Sequence, residues 1–126
     1  QDIYKKAESS IIVIDDYIDV KTLQLLKASQ AGIWITVITD NKARNGLNAA
    51  FLYDSGLVIR FIRNRGRFHD RYVILDYKTE TERFYHCGAS SKDSGSRITA
   101  INRLCDGKEY HAVIDQVLSG PVLEIM

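Results

Sequence analysis

His69 and Arg71 stand two residues apart where the chain enters an apolar run, Tyr72-Val73-Ile74-Leu75. A short continuous apolar run reads as a strand buried on both faces. Residues at i and i+2 on a strand project from one face, so the spacing aims an imidazole and a permanently charged guanidinium at the same place. An imidazole can act near neutral pH as a nucleophile toward phosphorus or as a proton donor. A guanidinium grips phosphate oxygens through paired hydrogen bonds but does not give up its proton. Arg83 to Cys87 reads as the antiparallel return strand, which carries Gly88-Ala89-Ser90-Ser91 back beside His69. Backbone N–H groups there, with the hydroxyls of Ser90 and Ser91, can complete a cradle for an anion.

Arg60, Arg63, Arg65, Arg67 and Arg71 fall close together in a chain whose formal net charge is only +1. The distribution therefore carries more information than the sum, and Arg63, Arg65 and Arg67 are expected to face phosphate. The competing reading is a solvated edge whose arginines pair with carboxylates. Acidic residues collect elsewhere, as at Asp15, Asp16 and Asp19. Asp76 lies at the far end of the strand from His69 and on the other face of an ideal one, which suits a residue that ties down a turn. Asp70, His69, His86 and His111 supply metal-ligand types, but their spacings match no zinc signature. No metal and no cofactor is expected, since neither G-x-G-x-x-G nor a Walker A pattern occurs.

Taken together, His69-Asp70-Arg71, Asp76 and Gly88-Ala89-Ser90-Ser91 resemble the motif of the phospholipase D superfamily, H-x-K-x-x-x-x-D followed after a short interval by G-S-x-N. The histidine-to-aspartate spacing and the glycine after one hairpin match. Arg71 stands where the family has lysine, Ala89 where it has serine and Ser91 where it has asparagine. The chain is similar to phospholipase D-like domains of bacterial proteins, and the strand and helix order before the motif fits as well. The resemblance implies a catalytic set of His69, Arg71 and Asp76, with Ser90, Ser91 and the preceding arginines on phosphate. It implies metal-independent cleavage of a phosphodiester, with nucleic acid the expected partner. In that family two histidines, one per motif copy, work on opposite sides of the diester. This chain holds one copy, so the complete site implies a homodimer or a second copy elsewhere in the parent chain. The alternatives are a catalytically degenerate module that binds nucleic acid or another phosphate ligand, or a dimerisation domain.

The elements that would position these residues follow from the apolar pattern. With 126 residues there is room for one domain and one core. It is expected to be a piece excised from a longer protein, since it opens at Gln1 and stops in the apolar segment Val122 to Met126. Ser10 to Asp15 opens with a buried strand; Asp19 caps a helix that Gly32 ends; Ile33 to Ile38 is a second strand. A short helix from near Asn45 to Gly56 precedes a third strand, Leu57 to Ile62. Strand, helix, strand, helix, strand and then a hairpin predict an α/β fold with a mixed, mainly parallel β-sheet of six or seven strands flanked by helices, a phospholipase D-like half-fold. After the Ser/Gly-rich stretch from Ser90 to Ser96, Ile98 to Leu104 reads as a strand. Asp106 and Glu109 then open the clearest helix, which Gly120-Pro121 closes. No apolar run approaches the length of a membrane span. Cys87 and Cys105 form no C-x-x-C pair, which predicts a reduced, cytoplasmic setting.

Overall fold

The computed structural model describes residues 2–89, 102–104 and 107–126. Six strands, β1 (Ser10–Ile14), β2 (Trp34–Ile38), β3 (Ile59–Ile62), β4 (Asp70–Leu75), β5 (Arg83–Ala89) and β6 (Asn102–Leu104), form one sheet in the order β3-β2-β1-β4-β5-β6. β1, β2 and β3 pair in parallel, and the other pairings are antiparallel, so β1, β2, β3 and β5 all point one way. This is the mixed α/β sheet that the apolar runs predict. The antiparallel pairing of β1 with β4 has one consequence for the chemistry: it brings the carboxyl end of β1 to the amino end of β4, where His69 lies.

The central strands are apolar on both faces because both faces are covered. Ile11, Val13, Ile35, Val37, Val73 and Leu75 pack with Leu23 and Leu26 of helix α1 (Val20–Leu26) and with Tyr4 and Ala7. Helix α2 (Ala49–Ser55) adds Leu52 at the margin of the same layer. On the other face, Ile12, Ile14, Ile38, Ile62 and Ile74 meet Ile114 and Val117 of helix α3 (His111–Leu118). No helix among the described residues is long and apolar enough to cross a membrane.

Several element ends differ from the expectation. Asp19 caps α1 through a capping box with Thr22, yet the helix stops at Leu26; Gly32, at φ +84°, shapes the later turn into β2. α2 begins after Asn48, whose side-chain oxygen accepts from the Phe51 N–H at 3.1 Å, and not near Asn45. The reason is that the preceding loop is packed: Asn41 donates to the Leu47 carbonyl at 3.2 Å, and a Cβ on Gly46 would lie 2.6 Å from the Asn41 side-chain oxygen. α3 is entered through a 3-10 turn, Lys108–Tyr110, with no side-chain cap at its start. Gly107 lies directly under the Phe84 ring, where a Cβ would come within 2.1 Å, so contact with the sheet fixes this entry. The predicted cap at Asp106 lies outside the described residues, as does 98–101 of the expected last strand. At the opposite edge, Val122 bridges to Ile62, the Arg63 N–H donates to the Pro121 carbonyl and the Leu123 N–H to the Phe61 carbonyl, each at 3.0 Å.

Candidate functional site

The carboxyl ends of β1, β2, β3 and β5 and the amino end of β4 meet at one end of the sheet, the position where open α/β sheets place ligands. His69 immediately precedes β4 there. It is exposed, and its ring has no hydrogen bond among the described residues. Its backbone, by contrast, is well held. Asn64 is 1% exposed, and its side-chain amide grasps the residue before His69 from both sides: it donates to the Phe68 carbonyl at 2.8 Å and accepts from the Phe68 N–H at 3.0 Å. The same amide donates to Asp16 at 2.9 Å, and Asp16 also accepts from the Asp40 N–H at 2.9 Å with the Lys42 ammonium 3.8 Å away. The carboxyl end of β1 thus fixes the loop that presents the imidazole. Asn64 and Asp16 do not stand out in the sequence. Only the polar break Asn64-Arg65-Gly66, between an apolar strand and the histidine, signals a turn.

Arg71 follows at the expected spacing but is only 8% exposed. Its Nη2 donates to the Cys87 carbonyl at 3.1 Å. The cause lies in the neighbouring strand. Between the pairs Tyr72↔His86 and Asp70↔Ala89, β5 carries one residue more than β4, a bulge at Cys87-Gly88 with Gly88 at φ +92°. The guanidinium lies against that bulge, its Nη2 3.9 Å from where a Gly88 Cβ would be. Continuing the β1–β4 register one pair beyond Ile14↔Tyr72 puts Asp15 opposite Arg71. Asp15 and Asp16 therefore share this end of the sheet with the arginine, and the expectation that these acids collect elsewhere is corrected by the antiparallel pairing. Burial pushes the Cys87 thiol up to about 11, with the Arg71 charge pulling it down and Asp15 adding to the rise.

Asp70 and His86 form a pair on the other face, with Nε2 of His86 3.0 Å from the Asp70 carboxylate. The His86 ring tilts against Tyr72 at 5.2 Å between centroids. Burial first, then Tyr110 and Asp70, push the Tyr72 hydroxyl up to about 12. The hairpin does carry His86 in a strand interior, but as the partner of a carboxylate next to His69.

Asp76 is not brought to this site. It is 0% exposed, at the opposite end of β4, in a left-handed backbone conformation of φ +54°. One oxygen accepts from the N–H groups of Glu8, Ser9 and Ser10 at 2.9, 2.7 and 3.2 Å, so Asp76 ties the entry of β1 to the exit of β4. The other accepts from the Thr81 hydroxyl at 2.8 Å and from Arg83 at 3.0 Å. Burial by itself would raise this carboxyl; the Ser9 N–H, the Thr81 hydroxyl and the N–H groups of Glu8 and Ser10 outweigh it and hold the group well below the usual carboxylate range.

Nor do the arginines converge on Arg71. Arg60 donates to the Leu118 carbonyl at 3.0 Å and Arg67 to the Gln116 side chain at 2.9 Å. Arg65 lies beside Gly120, where an added Cβ would be 2.9 Å from its Nη2. The carbonyls at the end of α3 have no partner within the helix and carry its negative dipole end, which draws cations to them. Arg63, Arg65 and Arg67 nevertheless stay exposed in the loop leading to His69. Ser90 and Ser91 lie outside the described residues. No group of three or more His, Cys, Asp or Glu among the described residues could hold a metal ion.

Searches for related proteins add no identity to this geometry: no known family matches the chain, and neither does any curated protein sequence.

Proposed function

We propose that this domain cleaves a phosphodiester of nucleic acid, with His69 as nucleophile and the site completed by a second copy of the chain. The observation that carries this reading is the placement of His69: an exposed imidazole at the carboxyl end of the sheet, on backbone clamped by Asn64. That combination is what nucleophilic catalysis requires, a free reacting atom on a rigid support. In the proposed reaction an imidazole nitrogen forms a bond to phosphorus as the phosphorus–oxygen bond to the leaving group breaks. The partner's His69 donates a proton to the departing oxygen; water then attacks phosphorus as the phosphorus–nitrogen bond breaks, freeing His69, and the partner's His69 takes up the proton that the water loses. Arg71 supplies positive charge from within the sheet.

A second reading, that the domain binds phosphate without turning it over, is favoured by the burial of Arg71 and its hydrogen bond to the Cys87 carbonyl. One experiment separates the two. Cleavage of an oligonucleotide that persists in EDTA and is lost in His69→Ala, with binding retained by the variant, supports catalysis. Binding without cleavage by the wild-type dimer selects the second reading.

A further inference from the structure

The turn between β3 and His69 holds a carboxylate through its backbone N–H groups. Arg65 and Gly66 both have left-handed backbones, φ +53° and +69°, and the Arg67 N–H closes the turn on the Asn64 carbonyl at 3.2 Å. This is a β-turn with both central residues left-handed, and it leaves their two N–H groups unpaired within the turn and open to an external acceptor. Here that acceptor is a carboxylate of the chain itself. The Arg65 N–H donates to one oxygen of Asp40 at 2.9 Å and the Gly66 N–H to the other at 3.2 Å. Three arginines, Arg63, Arg65 and Arg67, flank the turn, and the chain runs on through Phe68 to His69. A phosphodiester presents a similar pair of oxygens sharing one negative charge, so it can take the place of the carboxylate on the same two donors.

We propose that the Arg65-Gly66 turn is a second phosphate subsite, kept closed by Asp40, so that the substrate is a polynucleotide with one phosphate at His69 and a neighbouring phosphate in this turn. The inference rests on the reading of His69 as a phosphate-facing residue, and adds to that site a second contact on a neighbouring phosphate of the same strand. Asp40 is a competitor for the subsite. It can be displaced because both N–H groups lie at the surface, where water or an incoming phosphate can take its place.

The test is a titration with short oligothymidylate, followed through backbone amide and histidine ring NMR signals, on the wild type and on Asp40→Asn. A melting curve of each protein establishes that both are folded. Removing the competing charge should tighten oligothymidylate binding by about fivefold, the factor that corresponds to one opposed charge at contact distance in water. The amides of Arg65 and Gly66 should be among those that shift. If His69 responds and these two amides do not, or if Asp40→Asn binds no more tightly, the subsite is overturned while the reading of His69 stands. If the two amides shift with tighter binding in Asp40→Asn but no cleavage occurs, the subsite holds and the catalytic reading fails. Absence of shifts in either protein overturns both.

Discussion

The two ends of β4 differ in how completely their polar groups are committed. At the Asp76 end, both carboxylate oxygens are saturated by backbone and side-chain donors. Nearby, His111 pairs with Glu82 at 2.7 Å, Tyr77 donates to Asp115 at 2.9 Å, and Lys78 joins the same Asp115. At the His69 end the backbone is equally well fixed, through Asn64 and Asp16, and Arg71 is buried, but the His69 side chain is exposed. The difference separates structural from chemical use of the same residue types. A histidine or aspartate whose hydrogen bonds are all satisfied within the fold can hold two elements together, and one that is left open can meet a ligand.

Substitutions can break this contrast, and the largest effect is expected at Asp76. Asp76→Ala removes the buried acceptor shared by Arg83, the Thr81 hydroxyl and the N–H groups of Glu8, Ser9 and Ser10, and should cost about 3–5 kcal/mol, read from urea denaturation. The acid response follows the same logic. The folded-state carboxyl is held below its unfolded value, so its stabilisation is complete above the ordinary carboxylate range and is lost as pH falls toward the folded value. Wild-type stability should therefore drop steeply below about pH 4, and Asp76→Asn should show a shallower acid limb in the same measurement. Next in size is Gly107→Ala at the same end, whose methyl would meet the Phe84 ring and should cost about 1–3 kcal/mol by thermal melting. Smallest is His69→Ala, which should change stability by no more than about 0.5 kcal/mol while removing any cleavage activity. A larger stability loss would mean that His69 is part of the framework, and the contrast between the ends would collapse.

The parts of this architecture that were readable in the sequence are those that depend on local pattern. Ile11 to Ile14 and Tyr72 to Leu75 announce buried strands because both neighbours of each strand and both covering layers demand apolar side chains. Asp19 announces its helix because a cap acts within three residues. What stayed hidden depends on specific contacts that no local pattern announces. The start of α2 is set by Asn41 gripping Leu47, and the start of α3 by Gly107 fitting under Phe84. The bulge at Cys87-Gly88 needs the register of two strands, and no single strand shows it. Within the site, the placement of His69 and Arg71 at one sheet end followed from spacing. The attraction of Arg60 and Arg67 to α3 and the occupation of the Arg65-Gly66 turn by Asp40 did not, because each requires a partner 25 or more positions distant.

The short bridge between Val122 and Ile62 has a consequence for handling the protein. β3 is the last strand on its side of the sheet, and Pro121 to Leu123 occupy the hydrogen-bonding groups of Phe61 and Arg63 that would otherwise face solvent. Trp34 and Val58, 80% and 90% exposed, stand at the adjoining starts of β2 and β3. Shortening the chain to Gly120 would uncover the margin of a strand whose other end already lies beside two large exposed apolar side chains, and such a fragment would be prone to self-association along that edge, independent of any pairing around His69.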